Sequence, residues 1–193
     1  MIATLYKIPR KDWKNTKTGD LYRSHQIIYG LFPDSKHRDF VFLDKGTTYN
    51  EKKFLIISKQ VPKVPEYGEI LIKKIPDLFF QKNKYKFETV LNPVKTLRTV
   101  DGTTKKPVIG IEQLSSWFLE KSQYWGFKVD SLSVSKTCAI EFFRKGENLI
   151  LNSCTFSGIL TVVNRSKFIE SFENGIGRSR GFGFGLLQLV PIN

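Results

Sequence analysis

The apolar periodicity of this chain changes in a set order, and the order occurs twice. IATLYKI (residues 2–8) reads as a strand, with Ile2, Leu5 and Ile8 apolar. DLYRSHQIIYGLF (Asp20–Phe32) brings Leu21, Ser24, Ile28, Leu31 and Phe32 to one side at three- and four-residue spacing, which predicts a helix. Asp20 is placed to cap its start, and Pro33 marks its end. RDFVFLD (38–44) and KFLIISKQ (53–60) read as strands joined by the turn-rich KGTTYNE, and GEILIKKI (68–75) as a further strand. VPKVPEY is too rich in proline for a regular helix, so a second crossover helix there should be short or absent.

The same order follows again. KYKFETVL (84–91) alternates like a half-buried strand. IGIEQLSSWFLEKSQYWG (109–126) is the longest helical pattern, with Ile111, Leu114, Phe118 and Tyr124 or Trp125 expected inward. FKVDSLSVS, TCAIEFFRK and NLILNSCTFSGILTVV are strand runs. RSKFIESFEN (165–174) is a short helix with Asn164 as N-cap, and GFGLLQLV (183–190) closes the chain as a buried strand. Two successive βαββαβ units fit both halves better than one large topology. The expected class is therefore α+β, two tandem ferredoxin-like domains with antiparallel sheets. PDLFFQKN (76–83) is the natural join, which divides the chain into residues 1–80 and 81–193.

Forty per cent apolar content and sixteen Phe supply a packed core, and a net charge of +13 favours a polyanionic partner over a merely soluble basic surface. The N-terminal MIATLYKIPRKDWK lacks the apolar run of a secretory signal, and no segment is apolar enough to span a membrane. A cytoplasmic protein with no membrane partner is expected. Cys138 and Cys154 fit no zinc spacing; they read as two buried reduced thiols, with a cross-strand disulfide as the alternative.

GIGRSRGFGFG (Gly175–Gly185) lies between the last helix and the last strand. Glycine permits φ > 0 and lets backbone approach a ligand closely. Successive amides can cradle an anion, with Arg178 and Arg180 adding charge. The other reading is a loop rich in glycine because it packs tightly. A dinucleotide site fits poorly, since such a loop should follow a strand and open a helix.

Six blocks carry a resemblance: LYRSHQIIYGLFP, RDFVF, LNPVKT, KKPVIGIEQLSSWF, CTFSGILTV and NGIGRSRGFGFGLLQLVP. In this order they resemble the CasE-type CRISPR RNA endoribonucleases, the processing subunits of type I-E Cascade within the RAMP superfamily. Gly175, Gly177, Gly181, Gly183 and Gly185 look like that superfamily's glycine-rich motif, in the second domain. The resemblance implies two ferredoxin-like domains, with the catalytic helix in the first. It implies binding of the CRISPR repeat stem-loop and one metal-free cut at the 3′ base of the stem. It further implies retention of the mature guide RNA beside other Cascade subunits, with no cofactor.

Metal-free cleavage uses the RNA's own 2′-hydroxyl as nucleophile, so the enzyme must move a proton, align the attack and stabilise charge. Histidine suits the proton transfer, and the chain has two, His25 and His37. Tyr22, three residues before His25, shares its helical face, and Tyr29 follows four residues later. Spacing alone leaves a structural histidine open. The resemblance implies His25 as general base, or as both acid and base, with Tyr22 bonding the scissile phosphate or orienting the 2′-hydroxyl. His37 falls in a loop beside Lys36 and Arg38, which could contact phosphate. No acidic cluster has two-metal spacing, and no HD or HExxH motif occurs, so no metal is expected. For RNA binding, FFRKGEN presents Arg144 and Lys145 at a hairpin tip, and Lys95, Lys105 and Lys106 fall in resembling blocks. Each lysine could equally be a solvated surface charge. The competing functions are a non-catalytic RNA-binding scaffold of a CRISPR ribonucleoprotein and a general RNA chaperone.

Overall fold

A computed structural model describes residues 1–16, 19–33, 38–99, 102–144 and 146–192. Two four-stranded antiparallel sheets form its frame. In the first, β1 (Ile2–Pro9), β2 (Phe40–Thr47), β3 (Glu51–Ser58) and β4 (Glu69–Lys74) lie in the order β2-β3-β1-β4. In the second, β5 (Lys84–Leu91), β8 (Phe127–Arg144), β9 (Glu147–Val162) and β10 (Gln188–Ile192) lie in the order β10-β5-β9-β8. Both are the strand order of a ferredoxin-like unit, with the first strand central and antiparallel to both neighbours. The helices are α1 (Trp13–Thr16), α2 (Leu21–Gly30), α3 (Ile111–Ser122) and α4 (Arg165–Asn174). No helix occupies residues 59–68, as the prolines there predict.

The first sheet is covered on both faces. Tyr6, Ile8, Phe40, Phe42, Phe54 and Ile56 pack with Ile28 and Leu31 at α2. Val41, Leu43 and Ile57 face the other way, into a cluster with Phe172, Ile176, Leu186 and Leu187 of the second unit. One apolar core therefore joins the two sheets, and each fully buried side chain in it contributes about 1.5–3 kcal/mol. A buried polar group pins α2 as well. The Lys52 ammonium lies 2.9 Å from Asp44 Oδ2 and donates to Ser24 Oγ at 3.2 Å, while the Ser24 hydroxyl donates to the same carboxylate.

Five expectations change. The cysteines are not two buried thiols: both are free, but Cys138 is exposed and Cys154 alone of the two is buried. FKVDSLSVS and TCAIEFFRK are not separate strands but the single β8, which bends at an irregularity between Ser135 and Cys138, where Lys136 has φ 49°. Beyond Cys138 it continues with β9 alone as a two-stranded ribbon, because β9 loses its other neighbour where the β5–β9 pairing ends at Cys154. The last strand starts at Gln188, after Phe184, Leu186 and Leu187 have entered the core as irregular chain. It is an edge strand with Val190 60% exposed, a position that tolerates Pro191. Ile111 is exposed rather than inward and, of the pair Tyr124 or Trp125, it is Trp125 that packs on the core; Leu114 and Phe118 are buried as expected, and Trp117 joins them in the stripe. Finally, a hairpin, β6 (Val94–Thr99) with β7 (Gly102–Pro107), fills what read as a connection. Among the described residues no helix is long and apolar enough to cross a membrane.

Candidate active site

Helix α2 starts where the sequence indicates: the Asp20 side chain accepts from the Arg23 amide at 2.8 Å. With Ser24 and Ile28 turned to the sheet, the opposite side of the helix carries Tyr22, His25 and Tyr29, all half-buried. The Tyr22 ring lies parallel to the imidazole with centroids 6.0 Å apart. Tyr29 is nearer, at 4.0 Å. This second tyrosine, four residues after His25, received no role in the sequence reading, although its i+4 spacing was the available signal.

The glycine loop of the second unit closes over this face. Its 3-10 turn, Arg180–Phe182, sets the Gly181 carbonyl 2.8 Å from His25 Nδ1 and the Phe182 ring 5.3 Å from the imidazole. A methyl group on Gly181 would stand 3.2 Å from the Tyr29 hydroxyl, 3.8 Å from His25 Nδ1 and 3.9 Å from Arg38 Nη1. Arg38 thus approaches Gly181 on the same side as the histidine.

Both readings of the glycines find support, at different positions. Gly185 has φ 87°, and a Cβ there would fall 2.2 Å from the Ile176 carbonyl oxygen; one at Gly175 would meet Val41 at 2.7 Å. The amides of Ile176 and Gly185 are spent on the Gly185 and Val90 carbonyls. These two glycines serve packing. Residues 177–182, by contrast, line a cleft of about 750 Å³ with Asn92, Lys105, Asn152 and Arg38. Among the described residues its lining holds four cations, Arg38, Lys105, Arg178 and Arg180, and no carboxylate. Burial, and then the nearby Arg38 guanidinium, lower the Arg180 pKa from its ordinary value.

The other predicted contacts separate. Arg180 Nη1 donates to the Asn174 and Gly175 carbonyls at the end of α4, so it braces the loop while lining the cleft. Arg178 donates to Thr96 Oγ1 at 3.2 Å, tying the loop to the β6–β7 hairpin. In that hairpin Thr96 pairs with Lys105, so Lys105 shares the cleft-facing side, while the Lys95–Lys106 pair occupies the alternate side. Lys95 and Lys106 are exposed and do not line the cleft. Asn92, unmarked by the sequence reading, donates to Ser179 Oγ at 2.9 Å and accepts from the Asn152 amide, locking loop to sheet. Arg144 ends β8 opposite Glu147 at the tip of the ribbon. Lys36, His37 and Lys145 lie outside the described residues.

Residues 5–191 match the family described as CRISPR associated protein. The CRISPR system Cascade subunit CasE of Escherichia coli (strain K12) is 26% identical over 186 residues, covering 90% of this chain and 93% of that one. The crystal structure of the CRISPR-associated protein Cas6e from Escherichia coli str. K-12 superposes with a TM-score of 0.80 at 23% identity, over 100% of both chains. Thermus thermophilus Cse3 bound to an RNA representing a pre-cleavage complex gives 0.82 at 14% identity, over 98% of this chain and 99% of that one. At such identities the structural likeness is one of fold, in both sheets and their connection. The match over nearly the whole chain places this protein in the CRISPR-associated protein family.

Proposed function

We propose that this chain is a metal-independent endoribonuclease that binds the repeat stem-loop of CRISPR precursor RNA and cuts at the 3′ base of the stem. The observation that carries the reading is a half-buried imidazole, His25, touching two residues, Gly181 and Phe182, that line a cationic cleft without carboxylates. A phosphodiester backbone is the anion such a cleft suits. Relatives named as a Cascade subunit and as Cse3 bound to an RNA representing a pre-cleavage complex support the substrate class.

In the proposed reaction, His25 takes the proton of the 2′-hydroxyl as that oxygen attacks the adjacent phosphorus. The bond from phosphorus to the 5′-oxygen breaks, leaving a 2′,3′-cyclic phosphate on one fragment and a 5′-hydroxyl on the other. The departing oxygen receives a proton from the histidinium or from water. Tyr22 orients the 2′-hydroxyl or bonds the phosphate. Arg38 and Arg178 oppose the charge that accumulates on the phosphate oxygens. RNA contacts extend to Lys105 and to Arg144 at the end of β8, with Lys145 next to it in sequence, within a division at residues 1–80 and 81–193. After cleavage the protein stays on the mature guide RNA as a Cascade subunit.

Incubating the pure protein with a synthetic repeat hairpin at neutral pH tests the reading against a non-cutting scaffold. One cut at the stem base is expected; a bound but intact hairpin would favour the scaffold.

A further inference from the structure

The nuclease reading needs one nitrogen of His25 free to accept a proton, and the fold specifies which. A carbonyl oxygen can only accept a hydrogen bond. With Gly181 O 2.8 Å from Nδ1, the neutral imidazole must carry its proton on Nδ1 and present a bare Nε2. That carbonyl belongs to the second unit, 156 residues along the chain.

The turn that offers the carbonyl is held from three sides. Arg180 ties it to the end of α4, and Ser179, at φ 59°, is held through its hydroxyl by Asn92. On the third side the Phe182 ring lies between the imidazole at 5.3 Å and the Phe142 ring at 5.1 Å. Phe142 stands apart from the rest of the core. It is 4% exposed yet belongs to neither of the two main apolar clusters. It sits on the part of β8 that has left the sheet and pairs only with β9, opposite Leu149. Its neighbour Phe143 is 64% exposed, and Ile150 on the facing strand 60%. A two-stranded ribbon is marginal on its own. The Phe142 ring contact with Phe182 docks this one on the catalytic turn.

We propose that Phe142 is a positioning residue for His25: it holds Phe182, and so the Gly181 carbonyl, against Nδ1, which keeps Nε2 as the proton acceptor. This deepens the nuclease reading and rests on it for the rate, but the tautomer can be read without RNA. When the ring is removed, the turn relaxes, the imidazole samples both tautomers and only the competent fraction cuts.

The test compares the full chain with Phe142→Ala and Phe142→Leu. Ring ¹⁵N shifts report the His25 tautomer, with a His37→Gln variant assigning the two histidines. Single-turnover cleavage of a repeat hairpin and hairpin affinity are measured alongside. The expected results are the Nδ1–H tautomer in the unaltered protein and a mixture in Phe142→Ala. Its cleavage constant should fall by about tenfold or more, with affinity within about threefold. Phe142→Leu should recover most of the rate. Because Phe142 lies outside both clusters, the variants should fold; if Phe142→Ala does not, Phe182→Leu carries the same readouts. An Nε2–H tautomer in the unaltered protein would overturn the proposal, as would unchanged tautomer and rate in Phe142→Ala. If the unaltered protein cuts no hairpin, the nuclease reading fails while the tautomer measurement still decides the positioning.

Discussion

His25 and Tyr22 came to one face because helical spacing put them there, and residue-level predictions start with them. His25→Ala should abolish cleavage, by about 10²-fold or more, and leave hairpin affinity within a few-fold, as measured by single-turnover kinetics and filter binding. Tyr29 competes with Tyr22 for the role of partner, since its ring is the nearer to the imidazole, at 4.0 Å against 6.0 Å. Comparing Tyr22→Phe with Tyr29→Phe in the same assay separates the two hydroxyls. The cysteines give a check independent of RNA. Cys138 is exposed and Cys154 buried, and burial, then the neighbouring Cys138, pushes the Cys154 thiol up to about 11. One fast-reacting thiol per folded chain is expected near neutral pH, where two equal rates would contradict the burial. The sign of the linkage follows: the folded thiol keeps its proton after the unfolded one has lost it. This contribution to stability is complete below the ordinary thiol range and is lost as pH rises toward about 11.

At the scale of elements, α2 depends on the buried group beneath it. Asp44→Ala leaves the Lys52 ammonium, with 7% of its side chain exposed, with the Ser24 hydroxyl and the Phe54 ring but, among the described residues, no carboxylate in place of Asp44. Breaking such a pair costs about 3–5 kcal/mol, which thermal unfolding should report as a lowered Tm. Gly185→Ala should also destabilise, by about 1–3 kcal/mol from the positive φ alone, and by more because the new Cβ meets the Ile176 carbonyl oxygen at 2.2 Å. Helix α2 was legible in the sequence because cap, spacing and proline stop agree on one segment. The β6–β7 hairpin was not, although Asp101-Gly102 between Thr- and Val-rich runs is a hairpin signal. Neither of its strands has an apolar face, so periodicity was silent. The ribbon was misread for a related reason: Ser135 and Lys136 interrupt the alternation at the bend, and a bent strand reads as two. Phe142 and Phe182 could not be paired from sequence at all. Their contact depends on how far β8 runs past its sheet, which only β9 decides.

For the whole molecule, the second face of the first sheet is the unifying feature. Val41, Leu43 and Ile57 bury against the second unit, so the histidine on one unit and the carbonyl and arginines on the other are held as one site. The excess charge of +13 follows the same logic, with cations gathered where the glycine loop meets the hairpin. Affinity for a hairpin should therefore fall by orders of magnitude between about 50 and 200 mM salt; a flat response would contradict a phosphate-led interface. The central claim is that His25 drives attack by the RNA's own 2′-hydroxyl without a metal. Its most direct measurement is the end groups of a repeat hairpin cut in excess EDTA. A 2′,3′-cyclic phosphate opposite a 5′-hydroxyl, both lost in His25→Ala, is the predicted result. Products bearing a 5′-phosphate, or cleavage that vanishes with the chelator, would contradict it.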